Sequence, residues 1–139
     1  MRLILIAACA ALALAGCKDE GAKSTNDPLN LIDHAVSWHV TEIDGAPVPE
    51  GVNVTLSSPE PGLIAGSSGC NRYSGPVAMR ENLLHVGELV GTRMMCDPAT
   101  MAVEEAFHST LSRARGLRLA GEVLEFTDLE NRPLIRAHK

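Results

Sequence analysis

Thirteen consecutive apolar residues run from Leu3 to Ala15, with Arg2 before them and Gly16-Cys17 after them. As a helix this run measures about 20 Å, short of the roughly 30 Å hydrocarbon core of a bilayer. A charged start, a short apolar stretch and small residues at its end describe an export signal rather than a membrane span. Residues 1–16 are therefore set aside from the fold. The 123 residues that follow suit one small domain and are too few for two. A chain of this size buries roughly 60–70% of its unfolded surface, enough for a core but not a generous one. Without Arg2 there are eleven Lys and Arg against 17 Asp and Glu, so no basic surplus remains to hold nucleic acid. Four aromatic residues are also too few for base-stacking platforms. Large cofactor-binding folds are excluded by length.

Leu14-Ala15-Gly16-Cys17 resembles the lipobox of bacterial lipoproteins. The resemblance implies cleavage before Cys17, a thioether from its sulfur to diacylglycerol, and a fatty acid such as palmitate on the new amine. Small Ala15 and Gly16 give a peptidase access to the backbone, and the thiol accepts the lipid. Two or three acyl chains hold a protein stably, where one alone is marginal. The alternatives are a plain cleaved signal with a chance cysteine, or an uncleaved anchor. The expected location is the bacterial envelope, facing the periplasm. Lys18 immediately after Cys17 resembles the outer-membrane destination of enteric lipoproteins, while Asp19 next along resembles a retention signal, so both membranes stay open with the outer one slightly favoured. Lys18 to Asp27 is polar and without apolar period, so it reads as a tether spanning on the order of 15–20 Å. The division expected is a signal at 1–16, lipidated cysteine and tether at 17–35, and a domain at 36–139, with Leu29, Leu31 and Ile32 beginning the packed part.

Four cysteines are present. Cys9 leaves with the signal and Cys17 takes the lipid, which leaves Cys70 and Cys96 in an oxidising compartment. An even remainder there points to a disulfide. Separate buried thiols, or one reactive thiol, are the other possibilities. No CxxC spacing supports zinc or thioredoxin-like chemistry.

Trp38, Val40 and Ile43 precede the turn pair Asp44-Gly45, and Val52, Val54 and Leu56 alternate with polar residues, so 37–57 is strand-like. Short strands follow at 63–66, 77–79 and 83–86, with turns at 58–62 and Glu81-Asn82. A single helix stands out after them. Asp97 is its N-cap and Pro98 its first residue. Ala99, Val103, Ala106, Phe107, Leu111 and Ala114 fall on one side; Glu104, Glu105, His108, Ser112 and Arg115 fall on the other. Gly116 is placed as the residue past its end. Strands at 117–120, 123–127 and 134–137 close the chain. Seven or eight short strands and one late helix imply an α+β fold, a strongly curved antiparallel sheet or half-barrel meander with the helix packed on one side.

Trp38, Ile43-Asp44-Gly45-Ala46-Pro47-Val48, GCNRYSG at 69–75, TRMMC at 92–96 and the late helix together resemble the META domain family, and within it the HslJ-like heat-shock lipoproteins. The resemblance covers about residues 36–137. It implies a bent antiparallel sheet with one packed helix on an envelope lipoprotein, with indirect roles in stress tolerance, secretion or motility and no established catalytic residues. It also strengthens the pairing of Cys70 with Cys96. Carried over, Gly69 and Gly75 permit turns, Asn71 bonds local backbone, Arg72 and Arg93 reach solvent or an acidic partner, Tyr73 is half-buried, and Thr92 belongs to the second motif.

The remaining chemistry-bearing groups give weak signals. Gly66-Ser67-Ser68-Gly69 lacks the G-x-S-x-G spacing of a nucleophile elbow. No two of the five histidines sit four apart on the predicted helix. Met79, Met94, Met95 and Met101 with Cys96 are soft donors, but methionine more often fills core gaps, and Met94 and Met95 on a strand point to opposite faces. Glu104-Glu105 reads as a solvated helix face, and the Asn53-Val54-Thr55 sequon reads as chance. The expectation is a non-enzymatic, monomeric module that needs no cofactor or metal and docks to an envelope protein. The alternative is a small-ligand module using the hollow of the sheet.

Overall fold

The computed structural model describes residues 26–139. The proposed signal, Cys17 and most of the tether lie outside these residues. Ten strands and one α-helix follow a short 3-10 helix at Pro28–Ile32. The strands are β1 Trp38–Ile43, β2 Ala46–Pro47, β3 Thr55–Leu56, β4 Leu63–Ser67, β5 Arg72–Arg80, β6 Leu83–Val86, β7 Val90–Gly91, β8 Gly116–Ala120, β9 Val123–Thr127 and β10 Pro133–His138; α1 is Pro98–Arg113.

All pairings are antiparallel. One sheet runs β2-β1-β10-β9-β8, with β3 also on β1; the other runs β4-β5-β6, with β7 on β5. Isolated bridges Val54–Ser68 and Ser57–Ala65 stitch β3 to the β4 hairpin, so the two sheets curve into one wall. At the far ends Leu84 N donates to Arg115 O at 2.7 Å, but β6 and β8 form no ladder, and the half-barrel stays open. The α+β class and the bent sheet expected from the sequence are the observed ones.

Local sequence explains the details. In β1 the register shifts between Val40 and Glu42, a bulge that moves inward-facing positions from Trp38 and Val40 to Ile43. Asp44-Gly45 and Glu81-Asn82 all have positive φ, the geometry that a tight hairpin requires. On α1 the Asp97 carboxylate accepts from Ala99 N and Thr100 N, and Pro98 supplies a φ already set for a helix.

Trp38, Phe107, Phe126, Leu56, Ile64, Leu84, Leu111, Leu124 and Ile135 are fully buried. They fill the concave side of the sheet under α1, so the hollow expected for a ligand module is occupied by the protein's own side chains. On the other side a charge ladder crosses four strands. Arg118, Glu125, Arg136 and Glu42 stand opposite one another in successive pairings of β8, β9, β10 and β1. Their ion pairs measure 2.8 Å for Arg118–Glu125, 3.1 Å for Arg136–Glu125 and 2.9 Å for Arg136–Glu42. Burial would raise the Glu125 carboxyl; the two guanidiniums outweigh it and hold the group below the usual range.

Packing begins at Leu29, Leu31 and Ile32 as expected, with Ile32 fully buried and Trp38 Nε1 donating to Leu31 O at 2.8 Å. Two readings of the helix differ from expectation. The helix ends at Arg113 with an extended Ala114 as cap, and Gly116 instead opens β8, where any side chain would run into Thr127. Ala99 and Ala106 are exposed; Phe107, Thr110 and Leu111 are the buried helix residues, so the second half of α1 carries the packing. Beside its first half, Ala99, Ala102, Val103 and Ala106 face Ile43 and Ala46–Val48 across a groove of about 340 Å³.

Candidate functional site

The two motifs and the helix meet at Asn71. The loop from β4 to β5 folds back through Gly69 at φ +117°, and Ser68 N donates to Asn71 O at 2.8 Å. Asn71 Oδ1 accepts from Thr92 Oγ1 at 2.8 Å and Met94 N at 2.7 Å. Its Nδ2 donates to Glu104 Oε1 at 2.7 Å and Met94 O at 3.1 Å. Both lone pairs and both amide hydrogens are thus used. Glu104 Oε2 accepts from Asn71 N and from Ser68 Oγ, each at 2.7 Å. Burial would raise the Glu104 carboxyl, but these hydrogen bonds together pull it below the usual carboxylate range.

The Cys70–Cys96 disulfide is present, with Cα atoms 5.8 Å apart, and ties the same loop to the start of α1. Between those anchors, residues 92–97 belong to no strand or helix. The segment is nevertheless fixed at both backbone groups of Met94 and at the Thr92 hydroxyl, which also accepts from Arg72 N at 3.2 Å. Its side chains face outward: Met94 is 55% exposed and Met95 85%. Neither fills the core, contrary to the expectation for methionine, because the segment is held by its backbone and has no strand alternation.

Tyr73 is buried rather than half-buried. Its hydroxyl donates to Thr55 O at 3.0 Å, and its ring lies 5.2 Å from Phe107 and 5.8 Å from His108. Desolvation pushes its phenol far above the ordinary range, so it stays protonated. His108 Nε2 has no hydrogen-bond partner; burial lowers the imidazole pKa, and the nearby Glu104 opposes that shift. Gly75 sits within β5, not at a turn. A Cβ there would lie 2.6 Å from Leu89 Cδ2 and 2.8 Å from Glu88 O, so the position requires close approach, not a special φ. The Asn71 side chain bonds across the fold to residues 92, 94 and 104, not to local backbone. Arg72 and Arg93 are exposed and make no ion pair among the described residues.

The motif residues Gly69, Cys70, Asn71, Thr92 and Cys96 are thus brought together. The sequence motifs do not mark Glu104 or Ser68. Glu104 lies seven residues, about two helical turns, after Asp97, which puts it on the side of α1 facing the segment that the disulfide holds. Ser68 is fully buried with its hydroxyl on Glu104. Among the described residues no three His, Cys, Asp or Glu side chains cluster as a metal site, and no helix is long and apolar enough to cross a membrane.

The architecture defines a class: a small α+β domain in which a bent antiparallel wall and one helix are locked by a disulfide and a buried asparagine paired with a half-buried carboxylate. The chain belongs to the META domain family, whose model matches residues 30–139. Two proteins solved by NMR share the fold. One, from Burkholderia xenovorans, has 24% identity and a TM-score of 0.60, over 96% of this chain and 97% of its own. The other has 24% identity and a TM-score of 0.59, over 78% of this chain and 92% of its own. No curated protein matches the chain.

Proposed function

We propose that this protein is an envelope lipoprotein of the HslJ-like type, anchored through Cys17, with outer membrane favoured over inner. It acts without catalysis, as a monomeric docking or stress-tolerance module. The observation that carries the reading is the division of labour around Asn71. The most specific residues of the chain satisfy one another in holding a segment whose own side chains point to solvent. The filled concave side of the sheet supports docking over enclosure of a small ligand. The Leu14-Ala15-Gly16-Cys17 sequence supports the anchor.

Metabolic labelling with radioactive palmitate and membrane fractionation test the anchor. The full-length protein is expected to carry label and to sediment with membranes, while Cys17→Ala is unlabelled and released. Absence of label from the parent, or membrane retention of Cys17→Ala, overturns the anchored reading.

A further inference from the structure

We propose that the outer face of β4, β5 and β7, with the Met94-Met95 segment beside it, docks an acidic, apolar stretch of extended polypeptide from a partner protein. This rests on the docking role proposed above and names its surface.

Register assembles the face. Ser74 stands opposite both Ala65 and Val90, which places these three side chains on one side of the sheet, and Arg72 is two residues before Ser74. Ala65, Arg72, Ser74 and Val90 line one open cleft of about 510 Å³. Residues 90–94 then run alongside β5: Thr92 N donates to Arg72 O at 3.1 Å, and Met94 N reaches Asn71. Val90 at 64%, Met94 at 55% and Met95 at 85% exposure are three of the five large apolar side chains most open to water among the described residues. All three fall within six residues.

Charge sets the chemistry of the partner. The chain is net negative, and Arg113, Arg118, Arg132 and Arg136 are each neutralised by a carboxylate. Four guanidiniums among the described residues are not; Arg80 stands at the end of β5 and Arg115 after α1, while Arg72 and Arg93 flank the apolar residues. A positive, apolar patch on an acidic protein complements a negative, apolar ligand. Backbone favours polypeptide over a lipid surface. β7 pairs with β5 alone among the described residues, so its other edge offers main-chain groups that a strand satisfies and a headgroup layer does not. The disulfide and the Asn71 bonds fix the segment beforehand, which limits the ordering cost of binding.

The test is fluorescence anisotropy with the purified full-length protein and two labelled decapeptides, one alternating Glu and Leu, the other Lys and Leu. The Glu–Leu peptide is expected to bind and the Lys–Leu peptide to bind at least about tenfold more weakly, with the preference reversed by Arg72→Glu/Arg93→Glu. Met95→Asp is expected to weaken the Glu–Leu peptide, and Leu129→Ser to leave it unchanged. Equal binding of both peptides overturns the proposal, as does loss of binding in Leu129→Ser. Displacement of the peptide by phosphatidylglycerol mixed micelles overturns it in favour of a lipid surface. Photocrosslinking in cells separates the two levels. Adducts from benzoylphenylalanine at Leu119 or Leu129, with none at Val90 or Met95, overturn this face and leave the docking role. No adduct from any of the four positions overturns the docking role itself.

Discussion

The Asn71 amide and the Glu104 carboxylate, 33 residues apart in sequence, meet through two hydrogen bonds of 2.7 Å, one from the Asn71 backbone and one from its side chain. Three donors converge on this carboxylate. Glu104→Gln swaps one acceptor oxygen for an amide that faces a donor, and is expected to cost about 2–3 kcal/mol. Glu105→Gln, on the exposed neighbour, is expected to stay within about 0.5 kcal/mol. Urea unfolding of the two variants checks the difference.

Stability is expected to fall in two stages on acidification. Burial lowers the His108 pKa in the folded protein, so the unfolded chain takes up a proton first; stability is full above pH 6.5 and declines as pH drops below it. Glu104 and Glu125 are held below their ordinary value of 4.5, so their contribution is present above that pH and is lost as pH falls through the folded values. His108→Gln is expected to remove the upper stage and keep the lower. Urea midpoints between pH 8 and pH 3 report both.

Cys70 and Cys96 close a loop with a sequence separation of 26. In the chain-entropy account the bond is worth about 3–3.5 kcal/mol. Cys70→Ser/Cys96→Ser is expected to lose about that much and still fold, since the Asn71 bonds hold the same segment. Urea unfolding gives the loss, and a two-dalton gain of the parent on reduction verifies the bond.

Gly75→Ala forces a methyl toward Leu89 and the Glu88 carbonyl. The Leu89 side chain packs against the core and the carbonyl is backbone, so neither yields freely and a cost of about 1–3 kcal/mol is expected. A thermal melt unchanged from the parent would show that the 87–89 loop yields freely.

Ile32→Ala is expected to cost about 2–4 kcal/mol, the penalty for truncating a fully buried side chain. A protein starting at residue 36 loses the whole 3-10 helix and is expected to be less stable still. Equal unfolding midpoints for the parent and that truncation would place Pro28–Ile32 outside the cooperative unit.

What could be read in advance was local. Asp97-Pro98 announces the helix through its own cap, and Asp44-Gly45 and Glu81-Asn82 announce hairpins through residues that accept positive φ. The helical wheel misleads where tertiary contact overrides it: it turns Glu104 to water because only the fold brings Asn71 beneath it, and it turns Ala99 and Ala106 inward because nothing local says that packing stops halfway along α1. The β1 bulge and the two-residue strands β2 and β7 were equally invisible, since a pairing of two residues has no period to detect. The candidate surface was visible only as two unusual motifs. Their meaning lies in the hydrogen bonds between them.

The placement of β10 governs how the chain comes together. It follows the other nine strands of residues 26–139 in sequence, yet it lies between β1 and β9, and its Arg136 bridges Glu42 and Glu125. Without it, β1 and the β8–β9 hairpin have no shared neighbour and the wall has a gap at its middle. A chain lacking Pro133–His138 therefore cannot complete the wall, and the fold depends on a pairing such as Ile43 with Ile135 that joins strands from opposite parts of the domain.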